Sequence, residues 1–172
     1  LRRMARRTSR ASFRALVAEA RAAIPGLNLS TDLIVGFPGE GEAEFTESLD
    51  FVAEMAFARL HVFPYSSRPG TAAARMPGHV PKQEKKARAA RMMALGDALS
   101  LAFHRRHEEQ TAAVLWETAV GANGAGLKWV GYTANYIRVH AAGPAELGNR
   151  VTPVRLHGAR PDGMDGEIVG EG

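Results

Sequence analysis

Apolar residues at Phe13, Leu16, Val17, Ala20 and Ile24 recur every three or four positions, the period of a helix with one inward face. Thr8 or Ser9 is placed to cap this helix, and Pro25-Gly26 ends it. Residues 27–37 then lose the helical period. Within them Leu33-Ile34-Val35 is an unbroken apolar run, which predicts a strand buried on both faces, as in parallel sheets. After the turn Pro38-Gly39-Glu40-Gly41, a second helix carries Phe45, Leu49, Val52 and Ala56 on one face. Glu42, Glu44 and Glu47 lie in its first turns, where the helix dipole favours negative charge. A second strand follows over Arg59 to Tyr65, with Leu60, Val62 and Phe63. The order α-β-α-β holds one pair of parallel strands joined by a crossover helix. A strand apolar on both faces needs neighbours on both sides, and this stretch supplies one, so it reads as part of a larger sheet.

Ser66 to Val80 is a loop rich in Pro and Gly, and Pro81 suits the first position of a helix. A long helix is expected from Lys82 to about Gln110, with an apolar stripe at Met92, Leu95, Leu99 and Phe103. Its first half is basic, through Lys82, Lys85, Lys86, Arg88 and Arg91. That face reads equally as the solvated side of a connecting helix or as a surface turned to RNA. From Thr111 the texture changes to short β-prone runs between glycine turns: residues 113–116, 128–132, 136–139, 151–156 and 166–169. Five strands at this spacing predict a small antiparallel barrel of the OB type. The fold class is therefore α/β followed by all-β, with boundaries at 1–76, 77–110 and 111–172.

Charge adds a mild bias. The net charge of +4 over 172 residues is uneven. Residues 1–76 hold ten Lys and Arg against eight Asp and Glu, residues 77–110 hold seven against four, and residues 111–172 hold five against six. A basic surplus favours polyanions such as RNA. Cysteine is absent, which removes disulfides, thiolate metal sites and cysteine nucleophiles from these residues. No run reaches the roughly 18 apolar residues of a membrane span. No leader is recognisable behind the basic opening, so the cytoplasm is the expected compartment. The chain begins with Leu1, as a processed chain or a piece of a longer one does.

In a parallel α/β sheet, ligands bind beyond the carboxyl ends of the strands. Gly36 lies at one such end, where a glycine admits close approach to the backbone. Phe63-Pro64-Tyr65 ends the other strand, and Arg68 in the following loop is available for a carboxylate or phosphate. The glycine turn lacks the Gly-Lys-Ser/Thr ending of a phosphate loop, which excludes a nucleotide hydrolase of that kind. His104 and His107 are spaced for two metal ligands on one helix side, but no third ligand accompanies them, and no metal site is expected.

The tracts Thr31 to Glu40 and Phe57 to Thr71, with the opening Leu1-Arg2-Arg3-Met4, resemble the later barrel of radical S-adenosylmethionine methylthiotransferases. Leu127 to Val139 resembles their C-terminal TRAM domain. The detail is most similar to the branch acting on threonylcarbamoyladenosine beside the tRNA anticodon. Sister branches act on isopentenyladenosine or on a ribosomal protein. The resemblance implies a partial (βα) radical-SAM barrel, a linker helix and an RNA-binding TRAM barrel.

It also implies two S-adenosylmethionine-dependent steps, hydrogen abstraction by a deoxyadenosyl radical and methyl transfer, with two 4Fe-4S clusters. Their cysteine ligands would lie outside this chain, leaving it without catalytic residues and silent by itself. Ile34, Gly36, Phe63, Pro64, Tyr65 and Arg68 are the implied cofactor-binding residues. Asp32 stands where the superfamily's strand pattern has its first glycine, and Glu40 comes one residue late. Tyr132, Asn135, Tyr136 and Arg138 are the implied RNA-binding residues of the TRAM domain, joined by Lys85 and Arg88 of the basic helix. A non-catalytic RNA-binding module and a ribosomal-protein methylthiotransferase are the alternatives.

Overall fold

The computed structural model describes residues 6–123 and 126–170. The opening Leu1-Arg2-Arg3-Met4 lies outside the described residues. The chain divides into two compact units, Leu1–Gly96 and Asp97–Gly172. The division falls inside a long helix.

In the first unit, α1 (Arg10–Ala23) is capped by the Ser9 hydroxyl, which accepts from the Ser12 amide at 3.1 Å. Of the expected apolar stripe, Val17 is buried and Phe13 packs its ring 6.0 Å from Phe51, whereas Leu16 and Ile24 are exposed. Strand β1 (Ser30–Val35) leads through a turn to α2 (Glu42–Met55), then to β2 (Arg59–Pro64). Glu44 accepts from the Gly41 amide at the start of α2, at 2.9 Å. Phe45, Val52 and Met55 form its buried side. The two strands pair in parallel, Leu33 opposite Val62 and Ile34 opposite Phe63.

Their burial alternates, contrary to the two-sided burial expected from the apolar run. Val35 is inside, while Ile34 (42% exposed) and its partner Phe63 (51%) face outward side by side. Only one face of a two-stranded sheet is covered by the helices of this unit, so an unbroken apolar run is half bare here. Helix α3 (Lys82–Arg105) follows a 3-10 turn at Ala73–Arg75, and Ala89 and Met92 are buried in its first half.

The second unit holds the end of α3 and a closed five-stranded barrel. The strands are β3 (Thr111–Asn123), β4 (Gly126–Thr133), β5 (Arg138–Gly143), β6 (Val151–Arg160) and β7 (Gly163–Ile168), ordered β3-β4-β5-β7-β6 with β6 back on β3. The expected barrel is antiparallel; the observed one is mixed. β7 returns from β6 through a tight turn and slots beside β5, which it must then follow in parallel, Val139 opposite Met164. β3 is far longer than residues 113–116 suggest, and two register irregularities against β4 let it bend around the barrel. α3 stops at Arg105 rather than near Gln110. Glu109 turns left-handed (φ 63°), its amide donates to the Leu156 carbonyl at 2.8 Å, and the sheet takes over.

Val114, Trp116, Ile137, Val139, Val154, Leu156 and Met164 fill the barrel. Trp116 Nε1 donates to Thr152 Oγ1 at 2.8 Å and Trp129 Nε1 to the Pro144 carbonyl at 2.9 Å, so neither indole is buried unpaired. Gly131 is required where β4 crosses Trp116. A β-carbon there would fall 2.5 Å from the Leu115 carbonyl oxygen and 2.8 Å from the indole.

Candidate functional site

Parallel pairing places both strand ends of the first unit at one edge, Val35 opposite Pro64, so Gly36 and Tyr65 emerge together. The Tyr65 amide donates to the Val35 carbonyl at 2.8 Å. Phe37 packs edge-on against the Tyr65 ring, centroids 5.3 Å apart, with His79 on another side at 6.1 Å. The Tyr65 hydroxyl is buried and has no hydrogen-bond partner among the described residues. Arg68 is exposed in the loop beyond, where its carbonyl accepts from the Thr71 hydroxyl at 2.8 Å.

The first turns of α3 brace this edge. Gly36 has φ 72°, a left-handed conformation suited to glycine, and the Lys85 side chain lies over it so closely that a β-carbon would come 2.3 Å from Lys85 Cγ. Lys85 Nζ donates to the Tyr65 carbonyl at 2.8 Å and lies 5.7 Å from the ring centre. The Glu40 carboxylate accepts from the Gly36 amide at 2.8 Å and from Arg88 Nη1 at 2.9 Å. Arg88 Nη1 also donates to the Glu40 carbonyl, and Nη2 pairs with Glu84. The guanidinium lies 5.5 Å from the Phe45 ring centre and is nearly inaccessible.

Arg88, expected on an RNA-facing surface, is thus buried against the β1–α2 loop, and Lys85 is half-buried over the strand ends. Stepping N-terminally along the stripe Phe103, Leu99, Leu95, Met92 leads to Arg88 and Lys85 at helical spacing. That spacing, more than their charge, marks the inward face. Glu40, which comes one residue late against the superfamily's strand pattern, is the hub of the brace.

Ile34 and Phe63 offer a flat apolar surface to a planar ligand, and Gly36, Pro64 and Tyr65 border it. Tyr65 gives its amide to Val35 and its carbonyl to Lys85, so a backbone contact there would use the carbonyl's second lone pair. These groups fit the apolar and hydrogen-bonding parts of a nucleoside. They do not fit an iron–sulfur cluster, for the chain has no cysteine. No group of three or more potential metal-binding side chains occurs among the described residues.

In the second unit register sets which residues of β4 and β5 lie side by side. Tyr132 lies opposite Arg138, Val130 opposite His140 and Lys128 opposite Ala142. Tyr132 and Arg138 are therefore neighbours. Tyr136, in the β4–β5 turn, is 79% exposed. Asn135, expected to face RNA, is committed inside the turn: its Oδ1 accepts from the Thr133 hydroxyl at 2.6 Å, and its Nδ2 lies 3.3 Å from His107 Nε2. A depression of about 350 Å³ further along is lined by Lys128, His140, Arg160 and Asp165. Arg160 is held there by Asp165 at 2.5 and 2.9 Å. Sequence reading missed Lys128 and His140, although strict alternation from Tyr132 and Arg138 leads to both.

Three groups of this unit predict acid sensitivity. Burial is the main cause that lowers the His104 pKa from the ordinary 6.5, partly opposed by the Arg160 carbonyl 2.6 Å from its Nδ1. Burial, then Arg138 and Arg160, lower His140 likewise. The Arg160 hydrogen bond lowers Asp165. An unfolded chain then binds more protons than the folded one, so stability is full above about pH 6.5 and falls as the histidines titrate below it. A second loss follows below about pH 4 as Asp165 is protonated. Urea midpoints should drop steadily from pH 7.5 to 5, and His104→Gln should flatten part of that slope; a midpoint flat over this range contradicts the assignment.

No protein-family model matches the chain. The chain is 36% identical over 169 residues to the threonylcarbamoyladenosine tRNA methylthiotransferase of Bacillus subtilis, covering 98% of this chain and 38% of that protein. It is 40% identical over 166 residues to the tRNA-2-methylthio-N(6)-dimethylallyladenosine synthase of Moorella thermoacetica, covering 96% and 37%. With the synthase of the same name from Bacillus licheniformis it shares 37% over 171 residues, covering 99% and 33%. The chain spans roughly a third of the length of these curated relatives.

Proposed function

We propose that this chain, whose homologues along nearly its whole length are tRNA methylthiotransferases, is the C-terminal part of a radical S-adenosylmethionine enzyme of that kind. Residues 1–76 are the distal part of the βα barrel, 77–110 the connecting helix and 111–172 an RNA-binding TRAM domain. One observation carries the reading: the likeness covers 98% of the chain, and so both units, the parallel strand pair with its half-exposed apolar face and the closed β-barrel. Of the two modified adenosines in the relatives' names, threonylcarbamoyladenosine is assigned to this chain, on the resemblance of the Thr31–Glu40 and Phe57–Thr71 tracts. Its compartment is the cytoplasm, where tRNA is modified. No described helix is long and apolar enough to cross a membrane.

S-adenosylmethionine, when bound, supplies the hydrogen-abstracting group and the methyl group. Ile34, Gly36, Phe63, Pro64 and Tyr65 would hold it through their apolar surface and backbone, with Arg68 in the loop beyond available to its carboxylate. The clusters are held by cysteines beyond this chain, which alone is inactive. Tyr132, Tyr136 and Arg138 face the RNA: tyrosine stacks on unpaired bases and arginine meets phosphate.

The test is binding of the chain to an anticodon stem–loop RNA at 50 and 200 mM salt. Affinity should fall with salt as counterions are released. Tyr136→Ala should lower it by ~1–3 kcal/mol, the usual worth of one stacked base. Absent or salt-insensitive binding overturns the RNA-binding part.

A further inference from the structure

Tyr136 is an unusual residue. It has φ 60°, a left-handed conformation that a bulky side chain seldom adopts, and it is the most exposed of the large apolar or aromatic side chains described. Backbone strain of this kind persists only where surrounding bonds over-determine it. Here they do. The Tyr136 amide donates to the Thr133 carbonyl at 2.9 Å, and the Thr133 amide to the Ile137 carbonyl at 3.1 Å. The Ile137 amide donates to Thr133 Oγ1 at 2.9 Å. Ile137 and Thr133 are buried, and Tyr136 is thrown outward between them.

The bonds behind this turn run in one direction. The Thr133 hydroxyl accepts from the Ile137 amide, and it donates to Asn135 Oδ1, since an amide oxygen can only accept. The Asn135 amide is therefore oriented with its NH2 toward His107 Nε2, 3.3 Å away. Nε2 must be the acceptor, which leaves the ring hydrogen on Nδ1. There it meets the Phe103 carbonyl at 3.0 Å, in the last turn of α3. The Phe103 ring packs on His107, centroids 4.8 Å apart. A single imidazole tautomer thus satisfies the whole series from Phe103 to Ile137.

We propose that His107 is a positioning residue for RNA. Its Nε2 lone pair orients the Asn135 amide, which orients the Thr133 hydroxyl, which fixes the turn that presents Tyr136 to an unpaired base. His107 itself touches no RNA. The inference rests on the RNA-binding reading above and gives it a rigid presenting device. Asn135 contributes from behind the turn.

The test uses the 172-residue chain and the anticodon stem–loop RNA. His107→Leu keeps the bulk and removes the acceptor; His107→Gln restores an acceptor oxygen at similar reach. His107→Leu should weaken binding roughly fivefold or more, within the range for coupled residues in one hydrogen-bond network. His107→Gln should bind close to wild type. In a Tyr136→Ala background His107→Leu should cause no further loss, because its effect passes through the Tyr136 ring. A merely structural role predicts instead that the two losses multiply. Exchange of the Ile137 amide hydrogen should quicken in His107→Leu and not in His107→Gln. If His107→Leu does not fold, Asn135→Leu breaks the same series from the turn side and must show the same masking by Tyr136→Ala. Wild-type binding matched by His107→Leu, or multiplying losses, overturns the inference alone. A wild-type chain that binds no RNA overturns the functional reading and this inference with it.

Discussion

Replacing Glu40 by alanine should destabilise the first unit by ~3 kcal/mol or more, as expected when one partner of a buried ion pair is removed. The Glu40 and Arg88 side chains are 13% and 3% exposed, and the Arg88 fork has little water to turn to. Glu84, which takes its other nitrogen, is half-exposed and cannot replace the two contacts that Glu40 makes to Gly36 and Arg88. The loss belongs to the unpaired cation more than to the bond. Glu40→Gln, which keeps an acceptor for both donors, should therefore cost less, and Glu40→Met with Arg88→Met should cost less than Glu40→Ala. Urea unfolding of the three variants checks the order. A Glu40→Ala chain within 1 kcal/mol of wild type would mean that the β1–α2 loop is not braced by α3 as described.

In the barrel the largest effect is expected at Trp116. Trp116→Ala removes a side chain with no accessible surface and leaves a cavity, for which buried Trp→Ala substitutions cost ~3–5 kcal/mol. For a unit of this size that corresponds to a fall of the thermal midpoint on the order of 20 °C. Trp116→Phe keeps much of the volume but strands the Thr152 hydroxyl, and should lose ~1–3 kcal/mol. Trp129 remains in both variants as the fluorescent reporter, its indole fixed on Pro144. A midpoint shift of only a few degrees in Trp116→Ala would show that the barrel closes over the gap.

The elements were legible in the sequence because each has a period of its own. Phe45, Val52 and Met92 keep helical spacing and are buried; Leu60, Val62 and Phe63 form a strand. What spacing cannot report is what lies outside the segment. Ile34 and Phe63 are as apolar as Val35, but among the described residues their face stays about half exposed. The parallel β5–β7 contact was illegible for a related reason: pairing order is decided by which strand slots beside which, not by the residues of either. Site residues divide the same way. Gly36 and Tyr65 could be placed from the ends of their strands. Arg88 is buried on Glu40 and Asn135 is tied to His107, pairings the sequence does not carry, because charged and amide side chains signal solvent until their partners are known.

The two sheets also differ in how they treat their own backbone. Among the described residues every barrel strand has a ladder partner on both sides over part of its length, which leaves less open edge for another copy to pair with. The β1–β2 pair has open flanks on both outer edges among the described residues, beside the bare Ile34 and Phe63. Concentrated samples should therefore self-associate edge to edge through the first unit, and a lysine in place of Phe63 is the remedy to try first.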